Sequence, residues 1–357
     1  MPLTLTTLVP RLPPAIDGVG DYATHVAEAM ARHYGIATRF VVGDPAWVGS
    51  GTEGQAIPYR SAKALLTYLP NQPGTTVLLH YVPHGYARKA CPFWLVQALR
   101  QWRQSTPKAH LLTIFHELYA CDWQRPWSSD FWLSPVQRNL AAAVAHLSDG
   151  AFTTSQRYAQ QLGFLSRSKH HQVPTLPVFS NVGEPATIPS WADRQQRLVI
   201  FGQRHSKCRI YRESLPLLEQ VCRTLNIQGI WDIGPPSGLG AGSIGGVPIH
   251  ELGALSVEQI SHYLSQARAG FLTYDPNRLS KSGIFAAYCA HGLLPINYRG
   301  TFYPVDGLTP GIQYWVPAQA SLPVDFKAIA EAAHCWYQTH TLTKQVMTLH
   351  CHLPNNL

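Results

Sequence analysis

Short apolar runs of strand length alternate with amphipathic helical stretches along nearly the whole chain, and the alternation starts afresh once. In the first half, residues 3–9, 36–42, 75–82, 109–115 and 150–154 read as strands. Between them, residues 22–34, 93–104 and 133–147 carry helical periodicity, Asp21 offers a cap for the first, and Ser155 caps a short helix after the last strand. Residues 184–196 (EPATIPSWADRQQ) are polar, contain two prolines and lack a period, so they read as a linker. The rhythm then resumes, with strands at 198–201, 229–233 and 270–274. Helices are expected at 211–225, at 257–267 behind Ser256, and over roughly 326–350. Strands that alternate with helices form a parallel sheet covered on both faces. Such sheets bind ligands beyond the carboxyl ends of their strands. Gly18, Gly20, His80, His116, Thr153 and Thr154 all fall at such ends.

The expected architecture is therefore α/β, with two Rossmann-like parallel-sheet domains facing across a cleft. Residues 1–185 make the first and 197–330 the second, and a helical segment over 331–357 crosses back to the first. No run of 18 apolar residues occurs, and MPLTLTTLVPRLPP has the layout of a first strand rather than of a signal peptide. Seven cysteines without a C-x-x-C pair fit a reducing compartment, so the cytoplasm is the expected location. The net charge of +8 admits an anionic substrate, an anionic membrane surface or nucleic acid. No dense Lys/Arg tract is present, which sets nucleic acid aside. A diffuse positive field suits a sugar nucleotide, or a lipid-linked acceptor met peripherally at the inner membrane face.

The stretch LSKSGIFAAYCAHGLLPI (279–296) gathers the most chemistry. Ser280 and Ser282 can cap a helix over 283–291, Ala286, Ala287 and Ala290 allow close packing, and Gly292 suits the left-handed residue after the helix. Lys281 then sits beside the open amides of a helix N-terminus, with Gly283 in the first turn, a combination that binds phosphate. The same residues also describe an ordinary capped helix with a solvated lysine. Residues 202–209 (GQRHSKCR) bring Arg204, Lys207 and Arg209 to the end of the second domain's first strand. They read as a basic loop, for a diphosphate or merely solvated.

Other features are less specific. Gly18-Val-Gly20 lacks the third glycine of a dinucleotide fingerprint. The run 234–246 (GPPSGLGAGSIGG) has no following Gly-Lys-Ser/Thr and reads as a flexible surface loop. His116 and Glu117 are adjacent at a strand end, where side chains alternate in direction, so one of them faces the cleft. That histidine can bind a sugar hydroxyl, act as a base, or be structural. Tyr119, Trp123, Trp127 and Trp132 either stack on sugar rings or form a tucked apolar loop. His84 lies in the loop after the third strand. His334, Cys335, His340, His350, Cys351 and His352 match no zinc spacing, and no metal is expected.

Taken together, DGVGDYA (17–23), TIFHELY (113–119), PVFSNV (177–182), FGQR (201–204), LGALSVEQI (252–260) and AHG with Pro295 resemble, in order and spacing, the retaining GT-B glycosyltransferases that use nucleotide sugars. On that resemblance 177–182 is the last strand of the first domain, and Leu255 lies near the nucleotide base. Gly18, Gly20, Gly202, Ser280, Ser282 and Gly283 contact the donor, and Arg204, with Lys207 or Arg209, neutralises the leaving diphosphate alongside Lys281. His116 touches the donor sugar, and His84, Glu117, Tyr119 and Trp127 hold the acceptor. No cofactor or metal is implied beyond the nucleotide sugar itself. One departure stands out: the two glutamates that family carries around the focal helix are here Leu279 and Ala287. The implied activity is transfer of a hexose from a nucleoside diphosphate sugar to a sugar or lipid-linked acceptor with retention, metal-independent, in polysaccharide or glycoconjugate synthesis. The alternatives are a nucleotide-sugar epimerase of the same architecture, or a non-catalytic scaffold that binds a sugar nucleotide or glycan.

Overall fold

The computed structural model describes residues 4–15, 17–49, 54–119, 129–238, 242–319 and 323–354. It divides into two compact units, Met1–Leu176 with Leu342–Leu357, and Pro177–Thr341. The division falls ahead of residues 184–196. Residues 177–182 therefore lie in the second unit, and they form no strand; the Val178 amide donates to the Ser280 carbonyl there.

The first unit runs β1 (Thr4–Val9), α1 (Gly18–Tyr34), β2 (Ala37–Val42), β3 (Gln55–Ala56), α2 (Ala62–Leu66), β4 (Thr76–Tyr81), α3 (Pro83–Tyr86), α4 (Phe93–Ser105), β5 (His110–Phe115), α5 (Ser129–Leu147), β6 (Gly150–Thr153) and α6 (Gln156–Leu165). Its sheet has the order β3-β2-β1-β4-β5-β6 with parallel pairing throughout. Every residue of β4 is buried, as a strand covered on both faces requires. The chain leaves β1 toward β2 and returns on its other side as β4, so a crevice opens at the carboxyl ends of β1 and β4.

Helix α1 begins a turn earlier than its sequence suggests. Asp17, not Asp21, is the cap, and its carboxylate accepts from the Val19 amide. Gly18 and Gly20 thus lie inside the first helical turn rather than in a loop before it. A Cβ on Gly20 would meet the Arg11 carbonyl oxygen at 2.6 Å, so glycine there lets the preceding chain cross close to the helix. Helix α5 likewise starts before residue 133 and carries Pro135 inside it.

The second unit runs β7 (Gln195–Phe201), α7 (Arg204–Glu213), α8 (Leu215–Thr224), β8 (Gly229–Ile233), β9 (Ser243–Ile244), β10 (Val247–Gly253), α9 (Val257–Gln266), β11 (Ala267–Leu272), α10 (Gly283–Ala290), β12 (Leu294–Asn297) and α11 (Phe326–Tyr337). The order is β12-β11-β7-β8-β10-β9, parallel except for the β9–β10 pair. Its apolar core joins Leu198, Ile200, Leu218, Ile230, Phe271 and Ile296.

Four expectations are corrected here. The basic loop after β7 is helix α7. The single helix expected over 211–225 is broken at Ser214, because Pro216 has no amide to continue the ladder and fits only a first turn. The end of the glycine-rich run is a hairpin: Gly245 and Gly246 have φ of 55° and 83° and join β9 to β10, the two positive values that a tight two-residue turn demands. The last helical region also divides. Helix α12 (Leu342–His350) belongs to the first unit, where His350 stacks on Tyr34 at 3.9 Å and Gln345 accepts from the Tyr22 hydroxyl at 2.5 Å.

Candidate functional site

In the second unit, a pocket of about 440 Å³ opens at the carboxyl ends of β7, β8 and β10 and at the start of α10. Gly202 and Gly234 line its floor. Both have positive φ, and a Cβ on Gly234 would fall 2.3 Å from the Gly202 carbonyl oxygen, so the two strand ends approach as closely as only glycine allows. One wall is apolar, from Ala254, Leu255 and Ile260. Asn181, Gly283 and Ile284 also line the pocket. Ser282 caps α10 by accepting from the Phe285 amide at 3.2 Å. The amides of Gly283 and Ile284, in the first turn, have no partner within the helix and sit at the positive end of its dipole. Helix α10, its cap and the left-handed Gly292 (φ 67°) lie where the sequence puts them.

The expected donor-binding residues divide. Gly202, Leu255 and Gly283 line the pocket. Ser280 does not: it is buried, and its hydroxyl donates to Asp306 at 2.5 Å. Lys281 ends a 3-10 turn (Pro276–Lys281) two residues before the pocket wall and is half-buried. Lys207 corrects a sequence expectation outright. It points into the core, fully buried, with its ammonium paired to Asp232 and donating to the Gly234 carbonyl at 3.1 Å. Tyr211 donates to the other oxygen of Asp232 at 2.5 Å, and burial, followed by that bond, holds its phenol far above the ordinary value. Arg204 and Arg209 are exposed and line a neighbouring pocket instead. Leu279 and Ala287 are each 1% exposed, so neither position presents a polar group.

In the first unit, β4 and β5 place His80 and His116 side by side. His80 Nδ1 lies 3.1 Å from His116 Nε2, the rings are nearly parallel, and Tyr22 from α1 meets His116 edge-on at 5.0 Å. His80 is fully buried, and burial pushes its imidazole down to about 3, so it is neutral. Its Nε2 finds no hydrogen-bond partner among the described residues. His116 therefore turns one nitrogen inward to His80. Glu117 is half-buried, Tyr119 packs on the apolar core, and His84 is exposed on α3. Gly18 and Gly20 are in α1, and Trp123 and Trp127 lie outside the described residues. Among the described residues no group of three or more His, Cys, Asp or Glu could hold a metal ion, and no helix is long and apolar enough to cross a membrane.

Asn181, Gly234, Ile260 and Asp232 were not legible as site residues. The sequence signal for Asp232 is an acid inside the otherwise apolar strand GIWDI.

Two doubly wound α/β units of this kind define the GT-B architecture, and comparison with solved structures agrees. The chain has the fold of TarM (TM-score 0.61, 8% identity, 99% of each chain covered). It also has that of a pneumococcal O-GlcNAc transferase, GtfA, solved with UDP and GlcNAc (0.57, 8%, 98% of each), and of the N-terminal domain of the trehalose-6-phosphate phosphatase of Candida albicans (0.60, 10%, 99% of this chain and 96% of that one). No protein-family model and no curated protein matches the sequence.

Proposed function

We propose that this chain transfers a hexose from a nucleoside diphosphate sugar to a glycan or lipid-linked acceptor, with retention of the anomeric configuration. The observation that carries the reading is the pocket at the ends of β7, β8 and β10, which joins an apolar wall to open helix amides. The base packs against Leu255 and Ile260. The diphosphate meets the first-turn amides of α10 and the Lys281 ammonium. The bond from the anomeric carbon to the diphosphate oxygen breaks, the acceptor oxygen attaches on the same face, and its proton passes to the departing diphosphate. Stabilising that departing charge is the protein's main task. The acceptor is assigned to the first unit, with His84, Glu117 and Tyr119, and His116 is assigned to the sugar that is transferred. The reading is supported by a shared fold with a transferase solved with UDP.

The test is a thermal-shift screen against UDP-, GDP-, ADP- and dTDP-sugars. A ligand at a hundred times its dissociation constant adds about 2.7 kcal/mol to stability. The expected result is a melting-point rise with one nucleotide class, and no rise with any of them sinks the reading. Replacing Lys281 by Ala removes a charge-assisted contact of about 1.5–3 kcal/mol, so kcat/KM is expected to fall roughly 10- to 150-fold. An unaltered rate takes Lys281 out of the mechanism. The apolar, buried Leu279 and Ala287 favour one second reading, a non-catalytic binder of the same ligands. Nucleotide-sugar binding without turnover across donors and acceptors would establish that instead.

A further inference from the structure

Helix α7 divides its cations. Lys207 turns inward to Asp232, whereas Arg204, Arg209 and Arg212 turn outward and line a separate, open pocket of about 560 Å³ together with Ser237 and Gly238. The pocket has one acidic wall residue, Glu213, which sits 3.4 Å from Arg209. Arg204 and Arg212 make no ion pair or hydrogen bond among the described residues and are exposed. Gly238 leaves room for one of them: a Cβ there would lie 3.1 Å from Arg204 Nη2. Like charges on neighbouring turns of one helix repel, so this wall lowers the stability of α7 unless an anion lies between the guanidinium groups. The pocket shares only His205 with the nucleotide pocket.

We propose that this second pocket binds a phosphate ester on a molecule other than the nucleotide. A guanidinium fork grips two phosphate oxygens at once, and a concave wall bearing three of them fits a small, multiply charged phosphate rather than a flat charged surface. Such a ligand is an effector rather than the acceptor, which is assigned to the first unit, and the pocket does not depend on the nucleotide reading for its existence. Cys208, whose thiol donates to the Ser237 carbonyl at 3.2 Å, ties Ser237 to α7.

The probe is inorganic pyrophosphate, measured by calorimetry at low ionic strength with the full chain, alone and with UDP at saturation. The variants are Arg212→Gln, which removes one fork from an exposed helix position, and Arg212→Lys, which keeps the charge. The expected result is one pyrophosphate site that persists when UDP is bound. Arg212→Gln weakens it at least tenfold, Arg212→Lys weakens it less, and UDP affinity stays within twofold in both. Absence of pyrophosphate binding, or binding that Arg212→Gln leaves within twofold, overturns the proposal. Displacement of pyrophosphate by UDP also overturns it, because the pocket is then the diphosphate end of the nucleotide site. Failure of UDP to bind counts against the nucleotide reading alone and leaves the pyrophosphate measurements readable.

Discussion

Replacing Asp232 by Ala is expected to destabilise the second unit by about 3–5 kcal/mol, the cost of leaving a buried charge without its partner. The geometry makes the substitution severe. Lys207 is fully buried and Asp232 is 1% exposed, so no water reaches the stranded ammonium. The Tyr211 hydroxyl, which donates to the second carboxylate oxygen, loses its partner in the same step. A domain of this size shifts its melting temperature by roughly 2–4 °C per kcal/mol, so a fall on the order of 10 °C should appear in calorimetry. The double variant Lys207→Met with Asp232→Leu should recover most of the loss, since a well-packed apolar pair often replaces a buried ion pair at little cost. A drop below about 1 kcal/mol in Asp232→Ala would show that the pair is more hydrated than its burial indicates. The consequence reaches the site, because the same ammonium holds the Gly234 carbonyl, and Gly234 is part of the pocket floor.

That ion pair also shows where sequence reasoning stops. Strands were legible because β4, β5 and β8 are short, mostly apolar runs of strand length, as parallel strands buried on both faces are, even though His80, Thr113 and Asp232 interrupt them. Helix α10 was legible because Ser282 and Gly292 mark its two ends with side-chain chemistry that acts locally. Lys207 was misread because its role depends on helix rotation. It shares a buried stripe with Ile210 and Tyr211, at three- and four-residue spacing, and that stripe becomes visible only once α7 is known to be a helix. A lysine on an apolar stripe and an aspartate in an apolar strand are each anomalous alone, and each accounts for the other. The pocket itself was only half readable. Gly202, Leu255 and Gly283 lie in stretches with recognisable spacing. Asn181 and Ile260 lie in the stretches 177–182 and 252–260, but no local pattern singles them out, and Gly234 reaches the pocket through tertiary packing alone. His116 was placed correctly at a strand end, but its inward bond to His80 follows from the β4–β5 register, in which His80 lies opposite Ile114.

Lowering the pH from 7 to 5 is expected to cost each unit about 2 kcal/mol through one buried histidine apiece. In the first unit His80 is held down to about 3 by burial. In the second, burial is again the main cause that brings His291 down to about 4. His291 fits its site as the neutral form. Its Nδ1 lies 2.8 Å from the Ala287 carbonyl and must carry the proton there, which leaves Nε2 to accept from the Ser261 hydroxyl at 2.8 Å. The sign follows from proton counting. Both folded values lie below the ordinary histidine value of 6.5, so between them the unfolded chain binds more protons, and stability rises with pH. It is present in full above about pH 6.5. It is lost as pH falls, at about 1.4 kcal/mol per pH unit for each group, until about pH 3 for His80 and pH 4 for His291. Half-buried His110 and His170, also lowered chiefly by desolvation, act in the same direction in the first unit. Denaturant unfolding at pH 7, 6 and 5 checks this, in a window above the range where carboxylates titrate. The variants His80→Gln and His291→Gln should each flatten the slope by about one proton's worth. Equal stability at pH 7 and pH 5 in the parent chain would mean that both imidazoles take up protons in place, with His80 Nε2 reaching water that its complete burial is expected to deny.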